Sequence, residues 1–477
     1  IQNADDAGAT NISFQLNSDQ NELIFFNNGD SFSLEGIKSI MIAYYSSKVT
    51  SSYIGNKGLG FRSILNWAES VSIYSAGLKI EFSRKVLEEY LADQLTDMGK
   101  NLDVIRKNRN LSQECIPIPI LGLPRVSTSK YDGCDEDKGC ALVIVYNKDK
   151  ETDVIKQVNA IDERTLLFLQ HIQNVEIVGF SDAEPTKSIS VHKDEWEIHS
   201  KDEELEDKYQ DKNKREKRKY IVKIAIPQNG LLEGNSPLYN YLPSKEKVHL
   251  PFLLHATVEL NSSRNHVNES EVNDYILQKA AELIREVAKK RLDETSDCSD
   301  WFAFRLMTPS IPVKDYGSLK ALYDKLDELK KNMAIYPTID GKYVTVNDYY
   351  YYNDDISGFW RDVEVKGISF SKMLQPVDGD FSILTRPLAN IVEAITDVSG
   401  QLKGGILKRV SLIRHLFDNK GSYFNGQKVP LLIDDNDNTI EGEAYVQDSG
   451  NNELTKNLPD WVEFSVVCND LVKSLIG

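Results

Sequence analysis

Between Ile54 and Phe61 the chain reads IGNKGLGF, with three glycines in the six positions from Gly55 to Gly60 and a helix-like run directly after them. Backbone so free of Cβ atoms is entropically costly to order, so it is best explained by something that must come close to it. The N-terminus of the helix behind it offers unpaired N–H groups. Gly55, Gly58 and Gly60 therefore read as an anion cradle, and the Ser-rich stretch 46–53 in front of them suits a lid. The spacing is not that of the phosphate loop, because no Lys-Ser/Thr pair follows the last glycine. It is not the dinucleotide fingerprint either, because no strand directly precedes it.

Two other short stretches carry polar groups of the same chemistry. IQNADDAGA at the start reads as the last turns of a helix that stops near Gly8. Asn3 and Asp6 are three apart and share a helix face. A side-chain amide oxygen on a rigid helix is a ligand that Mg²⁺ accepts, since this ion keeps its waters and takes the remainder from phosphates. NNGDSF, Asn27 to Phe32, follows the strand-like ELIFF. A polar residue leaving a buried strand can meet a base edge, and Gly29 lets backbone approach closely. Taken singly, the first stretch also fits plain helix capping and the second an ordinary turn.

Around these stretches period-2 runs alternate with helical ones. NISFQL and ELIFF, then VSIYSA, LKIEFS and CALVIVY, read as strands. Helices are expected near 34–41, 58–69, 84–98 and 161–173. Residues 1–180 thus read as an α+β domain with a mostly antiparallel sheet and helices on one face. Residues 181–295 form a second domain, with strands SISVHK, KYIVKIAIP and FLLHATVEL, a charged insert at 193–219, and a helix over 269–291 whose apolar stripe is Val272, Ile276, Ala280, Leu283, Ile284 and Val287. Residues 296–477 read as a mixed, mainly helical region to which no chemistry attaches.

Charge and composition narrow the function classes. The net charge of −17 disfavours nucleic acid as a partner. The basic run KNKREKRK, Lys212 to Lys219, follows an acidic run and reads as a self-compensating hairpin. No run approaches the roughly 18 apolar residues of a membrane span. The five cysteines suit free thiols in a reducing, cytoplasmic setting, and the spacing of Cys134 and Cys140 is poor for zinc. His255 and His266 read as structural histidines. The first residue is not Met and the opening helix lacks its beginning, so the chain reads as a piece of a longer protein.

In this order, IQNADDA, NNGDSF, SSK and IGNKGLGFRSIL resemble the N, G1 and G2 boxes of the GHKL ATPases. That superfamily comprises the Hsp90, DNA gyrase B, MutL and histidine kinase group, and the nearest likeness is to the Hsp90-like domains of sacsin. The likeness is tight over 1–75 and loose to about 270. It implies a Bergerat-type sandwich followed by a segment like the Hsp90 middle domain. It further implies that Asn3 ligates Mg²⁺, that Asp6 orders the pocket, that Asn27 and Gly29 meet the adenine, and that Ser47 and Lys48 begin the lid. Gly55, Lys57, Gly58 and Gly60 would wrap the phosphates of ATP. Arg264, in FLLHATVELNSSRNHV, would sense the γ-phosphate.

The sequence departs from the family at three points. The general-base glutamate is expected two positions before Ile1. Asn27 stands where Hsp90 and gyrase carry an aspartate. Gly139 and Cys140 stand where a glycine-threonine pair is expected. The resemblance implies slow ATP hydrolysis coupled to conformational change, serving protein clients or attached effector domains, with a homodimer left open. A scaffold that binds ATP without hydrolysing it, and a DNA-processing GHKL machine, are the alternatives.

Overall fold

The computed structural model describes residues 1–41, 61, 64, 67–97, 102–110, 112, 120–181, 183–210, 217–261, 263–295, 298–310, 316–338, 341–349, 374–375, 402–418, 431–440, 443–446 and 464–477. Ser47, Lys48, Gly55, Lys57, Gly58 and Gly60 lie outside the described residues. The chain divides into two compact units. One comprises Ile1–Val248 with Phe252–Leu283, the other His249–Pro251 with Ile284–Gly477.

The first unit holds two sheets. The larger is built from β1 (Asn11–Asn17), β2 (Glu22–Asp30), β3 (Ala68–Ser75), β4 (Leu78–Ser83), β5 (Arg125–Thr128), β6 (Lys138–Tyr146), β7 (Asn174–Val178) and β8 (Thr186–Ser190), in the order β5-β4-β3-β6-β2-β1-β7-β8. Every pairing is antiparallel except β1 with β7. Tight turns join the hairpins: Ala76 and Gly77 both take positive φ between β3 and β4, as a primed turn requires.

One face of this sheet is apolar because side chains alternate along a strand. Ile12, Phe14 and Leu16 on β1, Leu23 and Phe25 on β2, and Ile144 and Tyr146 on β6 share a core with Val154 and Val158 of a helix at Glu151–Asn159. A second cluster on the sheet joins Ile73, Ile80, Phe82, Leu121 and Cys140 to Ile40. The chain is therefore α+β with a large mixed sheet, as its patterning implied.

Along the chain the helices of this unit are α1 (Gln2–Asp6), α2 (Leu34–Met41), α3 (Arg84–Asp97), α4 (Leu102–Asn108), α5 (Glu151–Asn159) and α6 (Glu163–Leu166). Gly8, at φ +72°, ends α1 where the sequence places its stop. The helix expected over 58–69 does not reach Glu69, since Ala68 and Glu69 already belong to β3. The helix expected over 161–173 is corrected more deeply. An Asp162/Thr165 capping box starts α6, yet it ends at Leu166, because the amides of residues 170–172 bond a distant carboxylate instead.

The second sheet runs β12-β11-β13-β10-β9, from β9 (Trp196–Glu204), β10 (Lys219–Pro227), β11 (Ser236–Asn240), β12 (Leu242–Val248) and β13 (Leu253–Ala256). The charged stretch at 193–219 contains β9 and the first residue of β10. β9 pairs with β10 over nine residues, and Lys217 and Arg218 meet Glu204 and Glu259. Of the basic run Lys212 to Lys219, residues 212–216 lie outside the described residues. α7 (Glu271–Glu294) follows, burying Ile276, Ala280, Leu283, Ile284 and Val287 of the expected stripe.

In the second unit α8 (Phe302–Leu306), α9 (Lys320–Lys330), α10 (Ile406–Asp418) and α11 (Asn469–Ile476) are described, with short strand pairs. Val410, Ile433, Val467 and Leu471 form a small core of their own there. Among the described residues no helix is long and apolar enough to cross a membrane.

Candidate functional site

A five-residue helix has almost no stability of its own, so α1 is held by its surroundings. Asp5, buried to 1% exposure, is the anchor. Its carboxylate accepts the backbone N–H groups of Gln170 at 2.9 Å, His171 at 2.8 Å and Ile172 at 3.0 Å, and the Asp5 carbonyl oxygen lies 2.9 Å from His171 Nδ1. Ala4 buries into the apolar core on the sheet. With Asp5 turned inward, Asn3 stands exposed on the other side of the helix, and Asp6 is half-buried.

The far end of α1 meets the end of β2. The Asp30 amide donates to the Ala7 carbonyl at 2.8 Å. A Cβ on Gly29 would lie 2.7 Å from that same oxygen. Glycine is therefore required at 29 by the approach of the helix, whatever else meets it. Gly29→Ala is expected to cost about 1–3 kcal/mol, the usual range for overpacking. Urea unfolding of the purified variant checks this, and an unchanged midpoint would show that α1 can shift away.

Asn27 lies two residues earlier on the same face of β2 and is 5% exposed. It sits beside Cys140 of β6 and opposite Ile12 of β1. It belongs to neither apolar cluster, although Phe25 lies in one and Cys140 in the other. Its Oδ1 accepts the Gly29 amide at 3.1 Å, and its Nδ2 donates to the Cys140 carbonyl at 3.4 Å. An amide can form about four such bonds, so further donor and acceptor capacity remains. Ser75, also buried, accepts the Phe32 amide at 3.0 Å and donates to the Gly139 carbonyl at 3.3 Å. Asn27, Gly29 and Ser75 thus make a polar break in an otherwise apolar face, at the strand end where α1 arrives.

Gly139 and Cys140 flank this break. Gly139, at φ +87°, could carry no side chain, since a Cβ would stand 2.2 Å from the Gly133 oxygen. Burial pushes the Cys140 thiol up to about 12, so it behaves as a small apolar group with little thiolate character. The four described cysteines are all free, as their scatter implied.

The second sheet contributes the remaining charged residue. Arg264 follows Leu260 in a tight loop closed by the Leu260–Val267 bridge. Asn261 braces this loop: its Oδ1 takes the amides of Asn265 and His266 and the Ser263 hydroxyl. Arg264 adopts φ +58°, a left-handed conformation unusual for a residue that is neither Gly, Asn nor Asp. Burial pulls its guanidinium below the usual arginine range, and the charge of Asp6 on α1 opposes that pull. Arg264 makes no ion pair among the described residues.

Nearby on the same sheet, His255 is fully buried with neither ring nitrogen partnered. It packs 5.3 Å from the Phe168 ring and 4.7 Å from that of Tyr241, and Lys223 sits beside it in register. His266 bonds Glu246 at 3.0 Å.

The fold therefore brings Asn3, Asp6, Asn27, Gly29 and Arg264 to the neighbourhood of α1. Sequence reasoning passed over Asp5 as a site-building residue. Among the described residues no group of three or more His, Cys, Asp or Glu could hold a metal ion. That is compatible with a magnesium ion held by one amide oxygen on an exposed helix face, since such an ion takes few protein ligands. No family model matches the chain, and no curated protein matches it.

Proposed function

We propose that the first unit is an ATP-binding module of the GHKL type, with the Bergerat arrangement and an Hsp90-like second sheet. ATP would lie against α1 and the polar break on β2. Asn27 would take the adenine edge through its spare amide capacity, more weakly than a charged carboxylate does. Asn3 would hold Mg²⁺, which supplies charge neutralisation to the phosphates, and Asp6 would order the helix face beside it. Arg264 would face the terminal phosphate. Binding and slow hydrolysis would then be read out as conformational change, serving clients or attached domains.

The observation that carries this proposal is Arg264 opposite α1. The resemblance assigns it to the phosphate end of a site on that helix, and among the described residues its desolvated cation, on which the charge of Asp6 bears, forms no ion pair. An unpaired, partly buried guanidinium is costly, and a phosphate is the group its planar fork suits best. The coarse architecture is also of the required kind, with a mostly antiparallel sheet and helices packed on its apolar face.

The test uses a chain extended N-terminally through the expected glutamate. Calorimetry should detect ATP binding in the presence of magnesium, and its absence would end the proposal. Arg264→Ala should leave ADP affinity within about twofold and lower turnover about 1,000-fold, the low side of what a phosphate-facing arginine supplies. Binding with no turnover in the unaltered chain would instead favour a nucleotide-gated scaffold.

A further inference from the structure

The loop that carries Arg264 is fastened by a residue that no motif marks. The Leu260–Val267 bridge closes this loop, and one step outside the bridge the Asn268 amide donates to the Glu259 carbonyl at 2.9 Å. Asn273, in the first turn of α7 and only 1% exposed, grips both of these residues. Its Oδ1 accepts the Glu259 amide at 2.7 Å. Its Nδ2 donates to the Glu259 carbonyl at 2.9 Å and to the Asn268 carbonyl at 2.7 Å. The side chain thus meets the Glu259 backbone as a neighbouring strand would, after β13 has ended at Ala256.

Asn273 is itself fixed, because Ser270 Oγ accepts its backbone amide at 3.2 Å and so caps the start of α7. Both Nδ2 hydrogens and one side of Oδ1 are used, so the amide is nearly saturated in a place closed to water. Asn261 braces the loop from within, and Lys245 and Glu246 of β12 bond Asn265 and Val267 on its returning side. Asn273 joins its two ends to a helix. Arg264 at φ +58° needs such support, since strained non-glycine backbone persists only where surrounding contacts over-determine it.

We propose that Asn273 is a positioning residue that clamps the Arg264 loop to the start of α7, so that helix and loop move as one body. The link to catalysis rests on the ATP reading above, whereas the clamp does not. Asn273, closed to solvent, would touch no reacting atom. It sets where the arginine's loop stands.

Asn273→Asp keeps the shape and the acceptor but offers no donor to either carbonyl. Without nucleotide, hydrogen exchange at the amides of Asn261, Arg264, Asn265 and Asn268 should quicken about tenfold or more, while Val222 and Ile224 on β10 keep their rates. Parent-like exchange in the loop would overturn the clamp, and so would a rise shared by the whole first unit. If the aspartate variant does not fold, Asn273→Ala carries the same measurement without a charge, and failure of both to fold would overturn the local role too. With ATP and magnesium on the N-terminally extended chain, kcat should fall about tenfold and KM stay within about twofold. Added to Arg264→Ala, Asn273→Asp should cost no further turnover, since it acts through the arginine. Parent kcat despite faster exchange, or a further loss in the double variant, would overturn the link to catalysis. Should the unaltered chain neither bind nor hydrolyse ATP, the ATP reading fails by itself, and the exchange measurement still decides the clamp.

Discussion

Asp5→Ala is expected to destabilise the first unit by about 3–5 kcal/mol, the largest single-residue effect outside the apolar core. Three backbone N–H groups now end on this carboxylate, and all three lose their acceptor together. Each buried amide left unpaired costs about 1–3 kcal/mol, and the three do not add fully because water enters the gap. The damage should also be directional. α1 loses its tether, and the segment after α6 loses the partner that keeps it from continuing as helix. Asp5→Asn should recover only part of the loss, because its NH₂ group faces donors. Urea unfolding followed by tryptophan fluorescence measures both variants. A loss below 1 kcal/mol for Asp5→Ala would mean that the segment finds other acceptors, and that the carboxylate is not what holds the helix.

The second large effect belongs to His255 and appears as a dependence on pH. Burial foremost, and then the positive charge of Lys223, pulls this imidazole down to about 3 from an ordinary value of about 6.5. The charged group that faces it is Lys223 on β10, whose own charge is influenced by Lys193, Asp202 and Asp5. Between pH 6.5 and 3 the unfolded chain holds a proton on His255 that the folded chain refuses. The unfolded state therefore binds more protons there, and stability rises with pH across this window. Its contribution is intact at neutral pH and is lost as pH falls below about 6.5. From pH 7 to pH 5 the loss amounts to about 2 kcal/mol, at 1.36 kcal/mol per unit. His255→Phe removes the titrating group and the two unpartnered nitrogens while keeping a ring between Phe168 and Tyr241. It should equal or exceed the parent at pH 7 and lie about 2 kcal/mol closer to its neutral-pH stability at pH 5. Parallel stability curves for the two proteins would show that His255 is not the source.

What the sequence made legible follows the range of the forces involved. Period-2 runs such as NISFQL and CALVIVY became β1 and β6 because alternation is local and one sheet face is apolar. β9 was hidden inside a charged stretch for the complementary reason: it is an edge strand with no fully buried residue, so its side chains carry charge and no apolar alternation. LLFLQHI looked helical because apolar residues fall at helical spacing, but the acceptor that claims its amides lies 165 to 167 residues away. No local pattern can announce such a partner. The same holds for the site. Asn3, Asp6, Asn27, Gly29 and Arg264 stood out through short motifs, each carrying its own chemistry. Asp5 sat in the middle of one such motif and could not be told from its neighbour until burial distinguished them.

The one parallel pairing in the large sheet has a bearing on how the protein is made. β7, the neighbour of β1, is synthesised more than a hundred residues after it, with the Asn174 side chain bonding Asn11 across a separation of 163. Until β7 emerges, β1 presents an open hydrogen-bonding edge on one side, and Asp5 just ahead of it has none of its three amides. Such long-range closure is slow. The nascent chain must therefore pass through a stage in which this edge is sticky and unfinished, and holding factors at the exit tunnel would be expected to engage it there.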